Sequence, residues 1–591
     1  MNRSSTTIWL LVAAGTQVHA SCLPVTDINS DGITTTGDYN AYIELLGAQQ
    51  APDLDGNLQA DMFDLLFLTR SLSDTLPDAA TARVWITRFS DGDQRDAQLL
   101  PYDDGQPFDQ NQDDGRQLFT ELAPAQVSNE PINTEWRVII DPSGKLHEVK
   151  GVGASMTDAA AYVLDQLRQN NPALFEWTMD RMFDRDTGAG FSYLRKPMGS
   201  SDFTATPTFY TYADRSLPDL SGFSIAHDRN YIIPMMQEAL CRNPSMEIMA
   251  SPWSPPAWMK TSGSLIGLSD LDLALQRTNR LKPEHFGTYA DYFVRFIEAY
   301  AAEGITIGAI TLQNEPQFDN ASYPCMRMTS GDQIALVEEL VPRFADANIE
   351  TEIVVHDHNW LLNPADQAPP WDEPSVDPLQ VVQSIFNDPN IGDAVAGSAW
   401  HCYYGNDDDM RSVYSTLRSQ YTDKLIYTTE LTGWGADRGV WWPDVEWGLR
   451  HNWFDGIASG ASVALEWNLV LDHQFGPTPR NDSQGVGLAT VNTDTWEDVR
   501  FEREFYAMAH VSRAAQPGSH VAVSRLTRFG GTYSGNDVQA LAFSLTESGY
   551  AVVLVNRLSS DQTVAIQTVG GEWISVDVPP RGMATAVRRY P

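Results

Sequence analysis

The amino-acid sequence predicts an α/β chain: a (β/α)8 TIM barrel, a discontinuous β-sandwich beside it, and a small α-helical module ahead of both. Three observations predict it. From Val149 onward, eight apolar strand-like runs alternate with segments of helical periodicity, as a parallel barrel requires. From about residue 500 the helical pattern gives way to short alternating strands, VQALAFSL, YAVVLVNR and TVAIQTV, which suit a sandwich. Near the start, two acidic twelve-residue loops each lead into a short helix-like apolar run, YIELL and LLFL.

In chain order, residues 1–20 read as a secretory signal peptide: Arg3 is the positive start, Ile8 to Ala14 the apolar run, and Val18-His19-Ala20 the small-residue cleavage site. The run is too short to span a bilayer. Cys22 follows, so lipid anchoring is an alternative, disfavoured because His19 stands where a lipoprotein signal needs leucine. The sequence does not pair the four cysteines, Cys22, Cys241, Cys325 and Cys402, and their spacing matches no zinc motif.

Residues 22–74 carry the paired loops. Asp27, Asn29, Asp31, Thr35 and Asp38 place oxygen-bearing side chains at the ligand positions of a calcium loop, with Gly32 at the sharp turn. Asp53, Asp55, Asn57, Asp61 and Asp64 repeat the pattern, with Leu58 at the turn position weakening it. The tandem arrangement, with aspartate closing each loop, resembles dockerin modules of secreted polysaccharide-degrading proteins. That resemblance implies calcium in this module and a cohesin-like partner for it.

Residues 75–80 read as a linker. Residues 81–147 supply two strands, ARVWITRF and EWRVIIDPSGK, separated by an acidic loop, and these complete the sandwich begun by residues 491–591. The barrel spans 148–490. Its strands are VKGVGASM, FSYLRKP, MEIMASPW, IGAITLQ, TEIVVHD, VAGSAWHCY, KLIYTTE and ASVALEW. The clearest helix follows Pro283: Tyr289, Tyr292, Phe293, Phe296, Ile297 and Tyr300 fall on one face, and Gly304 closes it.

Composition narrows the function. Net charge is −39, from 39 basic and 78 acidic residues, which argues against nucleic acid and anionic membranes as partners. The 17 Trp and 21 Tyr are enough to build both a core and sugar-stacking walls. Two strands end in a carboxylate, ITLQNEP at Glu315 and LIYTTEL at Glu430. Paired carboxylates at the carboxyl ends of barrel strands are the minimum for acid/base and nucleophilic cleavage of a glycosidic bond.

Seven motifs in order, GVGASMTDAAA, YLRKPMGSSDF, ASPWSPPAWMK, LQNEP, HCYYG, TTELTG and EWNLVLD, resemble glycoside hydrolase family 30 from about residue 82 to the C-terminus. The resemblance implies a retaining β-glycosidase that needs no cofactor for catalysis. Glu315 is then the acid/base, its pKa raised, and Glu430 the nucleophile. It further implies Asn314 on the sugar 2-OH, Arg195 orienting a catalytic carboxylate, and Asp202 with Phe203 at sugar hydroxyls. Trp253, Trp467 and Tyr403 form stacking walls, His401 bonds near the nucleophile, and Tyr323 joins the binding residues. Asp158, Trp258 and Asp357 divide between pocket and support. His356 and His358, two apart on a strand, share a face and read as structural. Lys196 and Leu431 depart from the family wording and bear on the subsites. Endo-β-1,6-glucanase and glucosylceramidase-like activities lead, a polymer suiting the dockerin-like module better than a lipid. β-Xylosidase and β-fucosidase activities stay open, and the rival from another class is a non-catalytic carbohydrate-binding scaffold component.

Overall fold

The computed structural model describes residues 81–89, 119–217, 219–369, 376–433, 441–479, 485–529, 537–546 and 548–590. The predicted signal segment, the predicted pair of calcium loops, the predicted linker and most of the acidic loop lie outside the described residues. Barrel and sandwich belong to one compact unit, Asp78–Pro591.

The first described strand, β1 (Thr81–Arg88), and β2 (Trp136–Glu148) precede the barrel. The barrel strands are β3 (Gly151–Ser155), β4 (Tyr193–Pro197), β5 (Glu247–Ser251), β6 (Ala309–Thr311), β7 (Glu352–Asn359), β8 (Val395–His401), β9 (Leu425–Glu430) and β10 (Val463–Asp472). Each pairs in parallel with the next, and β10 closes the ring on β3. All eight fall on the predicted runs. They are legible because a strand covered on both faces must be nearly continuously apolar. The predicted helix is Phe286–Ala302, and its six stripe residues are all buried. Gly304 follows at φ +78, a backbone conformation that glycine tolerates without a Cβ clash.

Past β10 the barrel sheet continues through β11 (Gly487–Val491), parallel to β10, and β12 (Val499–Phe501), antiparallel to β11. A buried helix, Arg503–Ala514, then leads to the sandwich strands β13 (His520–Arg528), β14 (Val538–Ser544), β15 (Gly549–Asn556), β16 (Gln562–Thr568), β17 (Trp573–Val578) and β18 (Gly582–Arg589). The sheet order is β17-β16-β2-β13-β14-β15-β18-β1, so strands from before the barrel pair with strands from after it. Its core holds Val84, Ile86, Trp136, Val138, Val552, Leu554, Ile566 and Ile574. Among the described residues no helix is long and apolar enough to cross a membrane. Cys325 and Cys402 are buried free thiols.

Candidate active site

Alternation along a strand sends every second side chain into the barrel. Tyr193, Met249, Ala309, Val354, Ala399 and Tyr427 belong to an apolar plug inside it. Two residues further along the same strands stand Arg195, Ser251, Thr311, His401 and Thr429. A polar layer therefore lies directly on a dry one, toward the carboxyl ends of the strands.

One strand breaks the rule. Alternation from Val354 points His356 inward, yet His356 (φ 74) and Asp357 (φ 65) both adopt left-handed backbone, and the pairing of β7 with β8 slips there. The bulge adds one residue and turns Asp357 inward instead. His356 faces the other way: its N–H donates to Gln333 Oε1 at 3.0 Å and its ring packs 4.6 Å from that of Trp400. The expectation that His356 and His358 share a face is thus corrected, because the bulge inserts a half-turn of phase between them.

Asp357 is the hub of the polar layer. Its carboxylate accepts from Arg195 (2.9 Å), Ser251 (2.8 Å), Thr311 (2.7 Å) and Thr429 (2.7 Å), and lies 3.1 Å from His401 Nε2. Burial alone would push this carboxyl up, but Arg195 and His401 hold it well below the usual carboxylate range. Arg195, wholly buried, also donates to Glu430 Oε2 at 2.5 Å and to Asn314 Oδ1 at 2.7 Å. Its guanidinium lies 4.8 Å from the Trp253 ring and 5.5 Å from that of Trp467, and the two indoles stack at 4.9 Å. Arg195 therefore bridges the Asp357 and Glu430 carboxylates.

Glu430 ends β9, and Tyr403 donates to its other oxygen at 2.9 Å. Glu315 sits four residues beyond the end of β6 at φ 46, its N–H donating to the Asp357 carbonyl at 3.0 Å. That non-glycine left-handed turn is a local strain of the kind found at functional sites. His401 Nδ1 lies 3.3 Å from Glu315 Oε1, while its Nε2 is 4.0 Å from Glu430. Its hydrogen bonds thus go to Glu315 and Asp357 rather than to Glu430, because β8 ends directly above Asp357. A carboxylate oxygen from each glutamate and a ring nitrogen of His401 lie within 4.8 Å of one another.

Charge is shared unequally. Burial would pull His401 down, but Glu430, Asp357 and Glu315 carry it up to about 9. Burial would likewise push Glu315 up, yet the His401 hydrogen bond and nearby His358 bring it below the usual range. Glu430 is raised by burial and by Glu315, against His401 and Arg195. The environment of Glu315 thus works against the expected raised pKa, because the His401 hydrogen bond favours its charged form.

Above this layer opens a cavity of about 410 Å³. Asp202, Phe203, Trp253, Asn314, Glu315, Tyr323, Tyr403, Glu430 and Trp467 line it, while Arg195 and His401 form the layer beneath. Asp158 does not line it; its carboxylate accepts from the Ala205 N–H and pairs with His227 at 2.6 Å. Trp258 is also support, donating to the Ala213 carbonyl at 2.8 Å. Lys196 points away from the cavity to Asp228 at 3.2 Å and Tyr212 at 3.0 Å, and Leu431 is buried in the outer core. Neither departure from the family wording touches the pocket. The sequence reading missed Asn359, Asn363, Asp366, Phe318, Asn320 and Thr432, which line it too, and gave His358 no place there. Most follow strand ends by several residues, where no periodicity says which way a side chain points.

Comparison with known proteins agrees with this geometry. Residues 149–514 match the glycosyl hydrolase family 30 TIM-barrel domain, and residues 527–586 the family 30 beta sandwich domain. The chain is 30% identical over 498 residues to endo-1,6-beta-D-glucanase BGN16.3 of Trichoderma harzianum, covering 82% of this chain and 93% of that one. It is 27% identical over 477 residues to the lysosomal acid glucosylceramidase of Mus musculus, covering 76% and 83%. The solved structure of an endo-beta1,6-glucanase superposes with a TM-score of 0.66 at 25% identity, over 80% of this chain and 97% of that one. With the family matched across the whole barrel and again in the sandwich, this chain belongs to glycosyl hydrolase family 30 and is a glycoside hydrolase.

Proposed function

We propose that the protein hydrolyses β-1,6-glucan with retention of configuration, by double displacement, with Glu430 as nucleophile and Glu315 as acid/base. The observation that carries the mechanism is the approach of the two carboxylates within 4.8 Å. Retaining enzymes hold the pair about 5–5.5 Å apart, whereas an inverting pair must leave room for a water between them. Glu430 attacks the anomeric carbon as Glu315 protonates the departing oxygen. Water then attacks the glycosyl-enzyme, gives its proton to Glu315, and releases Glu430. Arg195 and Tyr403, one on each oxygen of Glu430, hold the nucleophile in line. Asn314, fixed by Arg195, faces the sugar 2-OH. Trp253 and Trp467 give the sugar an apolar wall, with Asp202 and Phe203 at its hydroxyls. His401, whose Nδ1 lies 3.3 Å from Glu315 Oε1, is placed to exchange a proton with the acid/base.

The linkage follows the endo-β-1,6-glucanase relatives. Product analysis tests it on pustulan, a β-1,6-glucan, beside glucosylceramide, xylan fragments and aryl β-glucosides. Released gentio-oligosaccharides are the expected result. Glucose from the lipid or aryl glucoside alone would put the glucosylceramidase-like reading first. Unchanged hydrolysis by Glu430→Ala would overturn the mechanism. Export, and calcium at Asp27–Asp38 and Asp53–Asp64, rest on the sequence patterns; titration calorimetry of the full chain with calcium, against a chelated control, tests the second.

A further inference from the structure

Two pocket-lining side chains beside Glu315 lack what every buried polar group needs. Asp366 is 2% exposed, yet its carboxylate accepts no hydrogen bond from any described residue; its closest polar neighbour is His358 Nε2, at 3.6 Å. His358 is also 2% exposed, and its Nε2 stands 3.9 Å from Glu315 Oε1, beyond hydrogen-bond length. Its Nδ1 is buried with no partner among the described residues. Both side chains line the cavity, so the heads that make no hydrogen bond within the fold, His358 Nε2 and the Asp366 carboxylate, are open to a ligand there.

Position says which part of a ligand. The acid/base must touch the glycosidic oxygen, the atom between the sugar that is cut and the unit that leaves. The indole pair and Glu430 take the first unit, so groups next to Glu315 and outside that wall meet the second. His358 meets this condition, its Nε2 3.9 Å from Glu315 Oε1, and Asp366 stands 3.6 Å from that same nitrogen in the cavity wall. The chain places them through one segment. β7 ends at Asn359, and the turn Pro364–Asp366 returns to the cavity, with Arg327 Nη1 donating to the Asp366 carbonyl at 2.9 Å to fix it.

We propose that His358 and Asp366 form the subsite for the leaving sugar, bonding its hydroxyls and so selecting a carbohydrate over an aryl or lipid leaving group. This rests on the glucan reading above. The charge state suits a neutral polyol. Burial and Glu315 push Asp366 up to about 7 against Arg327, and burial takes His358 down to about 4. A neutral imidazole both donates and accepts, as a sugar hydroxyl does.

The test compares wild type with Asp366→Ala, Asp366→Asn and His358→Ala on gentiotriose and on 4-nitrophenyl β-glucoside, whose leaving group has no hydroxyls to bind. Losing a hydrogen-bond partner and leaving the bound hydroxyl unsatisfied predicts that kcat/KM on gentiotriose, relative to the aryl glucoside, falls about 10- to 100-fold in the alanine variants. Asp366→Asn, which keeps hydrogen-bonding capacity, recovers part of the loss. Equal losses on both substrates would show that the pair only supports Glu315, and an unchanged ratio would show that water fills the wall; either overturns the inference alone. A wild type that cuts the aryl glucoside and glucosylceramide but no glucan oligosaccharide overturns the proposed substrate, and this inference with it.

Discussion

Asp357 and Asp366 are both buried aspartates close to Glu315, and they are opposites. Asp357 has five side-chain partners on its two oxygens and ties strands β4 to β9 together from within. The Asp366 carboxylate accepts no hydrogen bond from a described residue, and His358 Nε2 stands 3.6 Å from it. Their histidines diverge in the same sense: His401 over the hub is carried up to about 9, and His358 in the wall falls to about 4. The lesson is that burial alone does not say what a polar group is for. A saturated one is part of the frame, and an unsaturated one in a cavity wall waits for a ligand.

The largest effect is expected between the two, at Glu315. Glu315→Gln removes the proton donor and lowers kcat on glucan about 10²- to 10⁴-fold, read in steady-state hydrolysis, with the melting temperature nearly unchanged. The hub comes next. Asp357→Ala leaves Arg195 with Glu430 as its one buried carboxylate and takes the acceptor from the Ser251, Thr311 and Thr429 hydroxyls, which costs roughly 3–5 kcal/mol in denaturant unfolding, and kcat falls about 10²-fold as Glu430 loses its alignment. If this variant unfolds like wild type, the hub is no frame and the contrast breaks.

Asp366→Asn should do the reverse. Removing an unpaired buried carboxyl shifts unfolding by about 1 kcal/mol or less, in either direction, while activity on oligosaccharides suffers. The smallest effect is in pH dependence. His401, raised in the fold, contributes stability that is fully present below about pH 6.5 and is lost as pH rises through about 9. His358, depressed in the fold, contributes stability present above about pH 6.5 and lost as pH falls through about 4. Histidine side-chain NMR should show His401 keeping its proton through pH 8 and His358 neutral down to pH 5; identical titrations would erase the distinction.

These two regions also divide what was legible in the sequence. The eight strands could be read, because doubly covered strands are apolar runs; Glu430 ends its strand as the pattern predicts, whereas Glu315 stands four residues past the end of its own. Arg195, Trp253 and Trp467 came with the family motifs. The bulge could not be read: nothing in VVHDHN says that His356 and Asp357 will take left-handed backbone, and the inward and outward assignments past that point follow from it. That Asp357 is a partner of His401 could not be read for the same reason, since it reaches the ring only through the bulge. Asp366 lies seven residues beyond its strand, in NPAD, which reads as a turn, and a turn has no face.

The order of pairing in the sandwich bears on how the protein is made. β1 pairs along its length with β18, which leaves the ribosome about 490 residues later. At about 5–20 residues per second, that is roughly 25–100 s during which VWI of β1 has no native neighbour on that edge. The barrel, whose neighbours are successive in sequence, can close first. The side domain therefore works as a clasp that fastens only once Gly582–Arg589 has been made, and a chain truncated before Gly582 would carry an open, apolar strand edge on an otherwise finished enzyme.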